Sequence, residues 1–413
     1  MGWRAPLYRN GLALVANSGI TSVLGVAYWS LAARTSSPTV VGINAALVSA
    51  LVACSNVSQA GLGGGLISYL PTQRTAAGRL VKRAYVTTAL LSLVLGGGFV
   101  VAASRSTTDL GVLSALPLAL LFVASVPVWS VFGLQDNVLT GLGNATWVPV
   151  ENIGYSALKL TMVVLIGGAF GGYGIFISWT LPALLALLPV TVTIFRSLLP
   201  QHHVADDVGA PAIPFGRFVA GDSVGMVCSQ LSTTLLPVLV VAKAGVAGGA
   251  LFYIPWMLAQ SVDLIGVNVG MSLTVEGARS RDGVRKLLRR LLVRVVPGIA
   301  VIALILGAAA PIVLAIFGRD YTESSVTILR LLLIGSVFRA TNALVLCASR
   351  AELAVRRILG IQGLLAAVVP SAAWLLMGPW GATGAAVAWL AGQAVTSVVG
   401  LSRMRTIETK GRS

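Results

Sequence analysis

The chain is divided in two by its longest polar segment, Arg196-Ser-Leu-Leu-Pro-Gln-His-His-Val-Ala-Asp-Asp-Val-Gly-Ala-Pro-Ala-Ile-Pro-Phe-Gly-Arg217. The prolines, paired histidines and paired aspartates of this segment disfavour both helix and strand. Long apolar segments resume on both sides of it. We therefore predict an N-terminal six-helix lobe at 1–197, a cytoplasmic linker at 198–216 and a C-terminal six-helix lobe at 217–413.

The composition indicates the environment in which these lobes fold. Of the 413 residues, 56% are hydrophobic and 10% are charged, and the mean hydropathy is +0.89. A soluble domain carries about 25% charged residues, and an aqueous fold could not bury so much apolar surface. Because apolar runs of about 20 residues span a bilayer as helices, we predict an all-α polytopic membrane protein.

The apolar runs predict about twelve transmembrane helices, six in each lobe. In the first lobe the predicted spans are 10–33, 40–62, 84–104, 111–133, 149–168 and 174–195. In the second lobe they are 218–241, 249–272, 292–316, 325–347, 359–378 and 381–401. The loops on the predicted outer side are short, so we expect no catalytic or recognition domain outside the membrane.

The formal charge of +16 is better explained by membrane topology than by nucleic-acid binding. Lys and Arg concentrate in alternate loops, as at 79–83 and 285–290, and the loops between these hold few: Arg34, Arg105, Lys243 and Arg319. Since cytoplasmic loops carry the excess of Lys and Arg, both termini are predicted to be cytoplasmic. We expect a multi-pass protein of the bacterial cytoplasmic (inner) membrane with no nucleic-acid partner. One predicted cytoplasmic loop, 135–147, has no Lys or Arg.

The two lobes share a sequence pattern. Arg79-Leu-Val-Lys-Arg83 follows the second span, and Lys286-Leu-Leu-Arg-Arg290 follows the eighth. Arg9 before the first span likewise corresponds to Arg217 before the seventh, at nearly the same offset. With six spans in each lobe the repeat is predicted to be parallel, with its axis along the membrane normal.

Charges at membrane depth are costly and usually either paired or functional. Lys159 lies near the middle of the fifth span, Arg339 is deep in the tenth, and Asp263 is deep in the eighth. Glu151 is eight residues before Lys159 on the same helix, so the two are about 12 Å apart along the axis and cannot pair directly. Two interpretations stay open: Lys159 or Arg339 pairs with Asp263 to hold helices together, or the cations line a cavity that attracts an anion.

Uncharged polar side chains are concentrated in the leading helices of each lobe, where a central pathway is expected. Hydroxyls and amides commonly bridge membrane helices, so each one alone is weak evidence for a site. Together with Lys159, Arg339 and Asp263, we take the following as candidate substrate-binding residues: Asn17, Asn44, Asn56, Gln59, Gln230, Gln260 and Asn268.

The sequence carries no pattern that predicts an enzyme, a cofactor or a metal. Gly61-Leu-Gly-Gly-Gly65 lacks the Gly-Lys-Ser/Thr of a phosphate loop, and we interpret it as a bend or a close-packing site. His202, His203, Asp206 and Asp207 contain metal-binding groups, but a solvated linker is the stronger interpretation. No nucleophile–base arrangement is evident.

Three stretches resemble bacterial polysaccharide-export flippases. They are the first helix, Tyr8 to Arg34, the following turn Ser37-Pro-Thr-Val-Val-Gly42, and the stretch Gln135 to Asn152, which is similar to the loop before span five in lipopolysaccharide biosynthesis proteins. These proteins belong to the multidrug/oligosaccharidyl-lipid/polysaccharide exporter superfamily, which has two six-helix lobes. The resemblance covers the whole chain in topology, and its motifs include no catalytic residue.

The resemblance implies that a polyprenyl-diphosphate-linked oligosaccharide moves from the inner to the outer leaflet by alternating access. It implies this lipid-linked oligosaccharide, membrane lipids and other polysaccharide-synthesis proteins as partners. Lys159 and Arg339 would then meet the diphosphate, because a positive, water-lined cavity offsets the cost of desolvating that anion.

Other classes remain as alternatives. A multidrug or other small-molecule secondary transporter would share the two-lobe architecture, although the drug-extruding branch often has an acidic residue in its first helix and none occurs here. A major-facilitator transporter would usually carry an acidic loop after span two, and the stretch 70–79 has no Asp. A membrane glycosyltransferase would need a large outer loop or convergent carboxylates, and a scaffold role is a further alternative.

Overall fold

The computed structural model describes residues 4–36, 38–73, 76–105, 113–202, 213–279, 283–315 and 324–410. In these ranges every regular element is helical and there is no strand, which confirms the predicted all-α class. The first half contains α1 (Arg4–Thr35), α2 (Pro38–Gln59), α3 (Leu62–Tyr69), α4 (Ala77–Ser104), α5 (Leu116–Gly141), α6 (Trp147–Ile166) and α7 (Gly174–Thr193). The second half contains α8 (Phe215–Arg279), α9 (Val284–Ala315), α10 (Ser324–Ala351) and α11 (Val355–Lys410).

Most of these helices are suited to crossing a membrane. Among the described residues, eight helices are long and apolar enough to do so, and α2 with α3, bent by 48°, makes a ninth when the bent pair is counted as one span. Three more predicted spans are also helical: α6, the first part of α8 and the second part of α11. Large apolar side chains face outward on α4 and α9, with exposed fractions of 72% for Val94, 73% for Leu304 and 74% for Ile312. Such a surface is unfavourable in water and matches lipid.

The long helix α8 holds two predicted spans. A straight helix of its 65 residues would be about 98 Å long, more than three times the bilayer core. Near its start, however, Asp222 pairs with Arg350 at 2.9 Å, and near its end a Cβ on Gly277 would lie 2.9 Å from Ala351. Both ends of α8 therefore meet the same end of α10. The chain reverses direction within α8, in agreement with the predicted spans 218–241 and 249–272.

The helix α11 also contains two predicted spans. Gly381 has the non-helical dihedrals φ 53° and ψ −138°, which few other residues adopt. This break lies where the spans 359–378 and 381–401 were predicted to separate. In the first half, Gly61 (φ 74°) marks the bend between α2 and α3, so the glycine-rich stretch 61–65 is a bend as expected.

The predicted end of the fourth span was wrong. It was placed at 133, whereas α5 continues to Gly141, so that only 142–146 lies between α5 and α6. The polar residues at 135–137 continue the helix because they find partners inside the protein. The amide of Gln135 is fully buried and donates to the carbonyl of Leu187 at 3.1 Å and to the hydroxyl of Thr191 at 2.9 Å.

The chain forms two compact units, unit 1 (1–210) and unit 2 (211–413). In the core of unit 1, Phe122 stacks between Phe99 and Phe176, at centroid distances of 5.4 and 5.9 Å. In the core of unit 2, Trp256 and Trp389 meet edge to face at 4.7 Å.

Much of the predicted linker, 203–212, lies outside the described residues, and with it His203, Asp206 and Asp207. In the described part, Pro200, Gln201 and Pro214 are exposed, as a solvated segment predicts, but His202 differs. His202 is buried, and its Nε2 lies 2.9 Å from the carbonyl oxygen of Leu70, so this histidine ties the end of the α7 region to the turn after α3.

The internal repeat is visible in matching turns. The turn between α5 and α6 has Gly143 at φ 80°, and the turn between α10 and α11 has Leu353 at φ 54°, 210 residues later. In both turns, the N–H of the residue after this left-handed position donates to the carbonyl oxygen of the residue five positions before it, with an N–O distance of 2.8 Å. These shared bonds support the predicted internal repeat.

A second pair of positions has the same offset. A Cβ on Gly174 would overlap the carbonyl oxygen of Ile166, and a Cβ on Gly384 would overlap the carbonyl of Leu376. Each glycine thus lets one span start directly against the end of the previous span. The repeat therefore extends through the last two helices of each unit.

Candidate functional site

The deepest cation of unit 1 is Lys159. Since α6 begins at Trp147, Lys159 lies about 18 Å along the helix axis, near the middle of a bilayer core. Its side chain is buried, with 4% exposed. An ammonium group in this position needs compensation from its surroundings.

Aromatic rings surround the ammonium group of Lys159. Its Nζ lies 4.0 Å from the ring centroid of Trp179, and 4.9 Å from the centroids of Tyr28 and Tyr155. These rings come from α7, α1 and α6. We call Tyr28, Tyr155 and Trp179 the aromatic cage, because cations are attracted to the negative faces of aromatic rings within about 6 Å.

Hydrogen bonds hold the cage in place. The Tyr28 hydroxyl donates to the carbonyl oxygen of Ile175 at 2.7 Å, and that of Tyr155 donates to the carbonyl oxygen of Trp179 at 3.2 Å. Both bonds reach the backbone of α7, so the cage joins three helices. Trp129 adds a ring contact to Trp179 at 5.7 Å.

The aromatic cage leaves the charge of Lys159 uncancelled. Each cation–π contact contributes about 0.5–2 kcal/mol, but rings carry no net charge. No carboxylate of the described residues forms an ion pair with Lys159. The neighbourhood is therefore positive at membrane depth, and it favours an anionic or electron-rich group.

A group of acidic and other polar residues lies elsewhere in unit 1. Asn152 on α6 donates to both carboxylate oxygens of Asp136 on α5, each at 3.1 Å. Glu151 is 5% exposed, and neither of its oxygens has a hydrogen-bond partner among the described residues. The Tyr85 hydroxyl is also buried without a hydrogen-bond partner among the described residues. Both Asp136 and Tyr85 interact electrostatically with Glu151. We call Asp136, Glu151, Asn152 and Tyr85 the carboxylate cluster.

The chemistry of this cluster suits a proton or a small cation. Two carboxylates largely removed from water repel each other, and Asn152 compensates only Asp136, so Glu151 has no donor among the described residues. Carboxylate oxygens are hard ligands, and a proton on one of them would turn an unpartnered acceptor into a donor. No group of three or more potential metal-binding residues occurs among the described residues.

In unit 2 the structure brings two of the predicted site residues together. Nε of Arg339 lies 3.6 Å from Oδ2 of Asp263, and its guanidinium lies 5.7 Å from the ring centroid of Trp389. Of the two interpretations left open by the sequence, the ion pair is therefore present for Arg339, and Lys159 has none with the carboxylates that the structure describes. That either residue binds a substrate stays a prediction.

The side chain of the fully buried Asn44 is hydrogen-bonded within the protein. Its amide donates to the carbonyl oxygens of Val40 and Gly172, both at 2.7 Å, and its oxygen accepts from the Phe176 N–H at 2.9 Å. These bonds use its oxygen and both amide hydrogens, and they tie α2 to the start of α7.

The other predicted site residues are distributed over both units. Gln59 donates to the hydroxyl of Ser55 at 2.7 Å, and the side-chain oxygen of Asn17 is buried without a hydrogen-bond partner among the described residues. Asn56 and Gln230 are exposed, Gln260 is half-buried and Asn268 is buried. Their role in binding stays a prediction.

Neither the aromatic cage nor Asp136 was predicted from the sequence. Tyr155 and Lys159 are four residues apart on one helix, a spacing that predicts contact, so Tyr155 was accessible to that argument. Tyr28 and Trp179 come from distant helices, and only tertiary structure brings them to Lys159. Asp136 was placed in a loop because the fourth span was ended too early.

The sequence matches no protein-family model and no curated protein. The structure, by contrast, is similar to known transporters. A MATE crystallised in complex with MaD5 is 14% identical, with a TM-score of 0.82 over 100% of this chain and 98% of that one. An outward-facing multidrug resistance MATE family transporter of the MOP superfamily is 16% identical, with a TM-score of 0.77 over 99% and 97%.

A third similar structure is a MOP superfamily transporter from Pyrococcus furiosus, described as having a binding pocket of reversed polarity. It is 15% identical, with a TM-score of 0.74 over 97% of this chain and 95% of that one. The chain therefore has a MATE-like fold, with twelve helices in two lobes. This agrees with the superfamily that the sequence resembles, but these structures do not support its polysaccharide-exporting branch.

Proposed function

We propose that this chain is a secondary transporter that moves an organic solute across a membrane by alternating access. The main support for this proposal is that the structural similarity to MATE transporters extends over nearly the whole of both chains. The outward-facing apolar side chains are consistent with a protein that works within lipid. We further propose the bacterial cytoplasmic membrane as its location.

The charges of unit 1 bear on the class of solute. α1 contains no Asp or Glu, while Lys159 is buried at membrane depth without an acidic partner among the described residues. A cationic drug would be repelled by Lys159 and would find no carboxylate on α1. The solute class that fits best is therefore neutral or anionic and amphipathic.

A second candidate is the translocation of a polyprenyl-diphosphate-linked oligosaccharide. The same observation favours it, since a diphosphate would be attracted to the uncancelled charge of Lys159. In this case the sugar is carried through the protein while the lipid tail stays among the helices. The two candidates differ in the attached lipid, which an assay can vary directly.

The carboxylate cluster is the candidate coupling site. Glu151 and Asp136 would take up a proton or a monovalent cation on one side of the membrane and release it on the other. Neutralising this pair removes the repulsion between its members. An ion that binds one conformation better shifts the equilibrium between conformations.

The test is transport in proteoliposomes under an imposed proton or sodium gradient. We would compare three probes: an anionic amphipathic dye, a cationic dye, and a short-chain polyprenyl-diphosphate sugar detected by an impermeant reagent. Gradient-driven movement of the anionic dye supports the main proposal, and movement of the lipid-linked sugar supports the second candidate. Movement of the cationic dye alone would overturn both assignments of solute class, and no transport of any probe would count against the transporter proposal.

The matched variants are Lys159→Met and Lys243→Met. Lys243 also lies against a ring, with its Nζ 4.2 Å from the centroid of Trp374, but it is exposed. We expect Lys159→Met to lower anion transport about tenfold or more and Lys243→Met to change it less than twofold, an expectation based on the cost of an unpaired anion in a dry site. Equal effects would refute a special role for Lys159.

A further variant tests the coupling site. Glu151→Gln retains the shape of the side chain and removes its ability to ionise. We expect uptake that no longer responds to the imposed gradient, while exchange of solute without a gradient persists. An unchanged response to both gradients would exclude Glu151 as the coupling group.

A further inference from the structure

Unit 2 contains a cavity lined by four arginines. Its volume is about 690 Å³, and it is lined by Arg217 at the start of α8, Arg356 and Arg357 at the start of α11, and Arg403 near the end of α11. The remaining lining is apolar: Ile213, Leu353, Ala354 and Val355. We call this the arginine pocket, and the charge pattern predicts that it lies at the cytoplasmic end of the helices.

Most of its positive charge is not neutralised by the described residues. Arg357, which is 9% exposed, pairs with Glu352 at 2.6 Å. Glu352 also lies 3.8 Å from Arg285. No carboxylate of the described residues pairs with Arg217, Arg356 or Arg403. The arginine pocket therefore carries a large excess of positive charge.

Formation of the turn between α10 and α11 does not account for this excess. The repeat-related turn of unit 1, which has the same left-handed residue and the same hydrogen bonds, continues as Asn144-Ala145-Thr146-Trp147 and has no Lys or Arg. At the related positions unit 2 has Ala354-Val355-Arg356-Arg357. Since one of these related turns forms without basic residues, folding of the other turn does not require Arg356 or Arg357.

The arginine pocket also has a defined geometry. The guanidinium of Arg403 lies over Gly360, in the space that a Cβ at that position would occupy. The guanidinium of Arg357 contacts Sδ of Met404 at 2.7 Å in addition to Glu352. Contacts from two separate parts of α11 thus position two of the four charges.

We propose that the arginine pocket binds the phosphate headgroup of an anionic phospholipid of the cytoplasmic leaflet. Arginine is suited to phosphate because its planar group donates two parallel hydrogen bonds. Basic pockets between helices on the cytoplasmic side attract anionic headgroups. The apolar lining from Ile213, Leu353 and Val355 fits the glycerol and first acyl carbons of a lipid better than a free phosphate ion.

The experiment measures lipid binding to the purified full-length protein. Phosphatidylglycerol or phosphatidylcholine is titrated into detergent, and bound lipid is followed by native mass spectrometry and by the shift in Tm. The pocket variant is Arg356→Gln with Arg403→Gln. The control is Arg289→Gln with Arg290→Gln, which removes two exposed charges of α9 that are not part of the pocket.

We expect phosphatidylglycerol to bind and to raise Tm, and the pocket variant to weaken its affinity by roughly fivefold for each arginine removed. The control should change the affinity less than twofold. Equal weakening in both variants, or equal binding of phosphatidylcholine, would overturn the proposal. Competition by millimolar glycerol phosphate to the same extent as by lipid would also overturn it, because the pocket would then bind a soluble phosphate.

A second variant distinguishes weaker lipid binding from loss of folding. Gly360→Ala keeps every charge but displaces the guanidinium of Arg403. We expect it to reduce phosphatidylglycerol affinity severalfold while the Tm without lipid stays near that of the wild type. Unchanged affinity would show that the fixed position of Arg403 does not matter and would contradict the proposed site.

Discussion

At the scale of single residues, the protein stabilises two buried cations in different ways. Lys159 lies against the rings of Tyr28, Tyr155 and Trp179, whereas Arg339 pairs with Asp263. Rings stabilise a charge without neutralising it, and a carboxylate neutralises it. The surroundings of Lys159 therefore keep a positive charge, and those of Arg339 do not.

The ion pair of unit 2 gives a prediction for stability. Asp263→Asn leaves the largely buried guanidinium of Arg339 without its counter-charge, and breaking a buried pair typically costs about 3–5 kcal/mol. We expect a clear drop in Tm in detergent. The double variant Asp263→Asn with Arg339→Gln should recover much of the loss, because no lone charge remains. A double variant no more stable than Asp263→Asn would contradict this account.

The aromatic cage gives a second prediction. A double-mutant cycle with Trp179→Leu and Lys159→Met should yield a coupling energy of about 1–2 kcal/mol, the value expected for a desolvated cation–π contact. The measurement is the free energy of unfolding, followed by Tm or denaturant in detergent. Phe132→Leu in place of Trp179→Leu serves as a control, since Phe132 contacts the rings of Trp129 and Tyr155 but no cation in the described parts of the chain. Additive effects in the Trp179 cycle would refute the contact.

At the scale of elements, repeated turns shape both units. Gly143 and Leu353 occupy equivalent left-handed positions, and Gly174 and Gly384 equivalent close approaches. The sequence predicted the order of the helices because their apolar length is set by the bilayer, but α4 and α9 begin at Ala77 and Val284, ahead of the predicted starts at 84 and 292. It ended the fourth span too early because Gln135 and Asp136 are polar, and their buried partners are not visible in sequence.

The close approaches can be tested by adding one methyl group. Gly174→Ala and Gly384→Ala place a Cβ against a backbone carbonyl oxygen, which can move only if the helix ends separate. We expect a loss of about 2–3 kcal/mol in each, as for overpacking. Gly298→Ala and Gly363→Ala are the controls, because a Cβ there meets nothing within 4 Å and alanine favours helix. Equal stability of all four variants would contradict the described turns.

At the scale of the whole molecule, the charge pattern predicts the orientation in the membrane. Lys82 belongs to a basic loop region and Arg105 to a sparsely charged one. In a background with Cys54, Cys228 and Cys347 replaced by alanine, Arg105→Cys should react with an impermeant thiol reagent added to intact cells. Lys82→Cys should react only after the membrane is opened. The reverse pattern would place both termini outside.

The sequence by itself determined the class of this protein and its span order. A chain with 56% hydrophobic and 10% charged residues must satisfy its backbone within helices in lipid, and the position of each apolar run follows directly. Tertiary structure alone decided which polar groups meet. The aromatic cage takes residues from α1, α6 and α7, the arginine pocket joins positions 217 and 403, and Arg339 rather than Lys159 pairs with Asp263. These contacts depend on packing between distant segments, which local patterns of sequence do not encode.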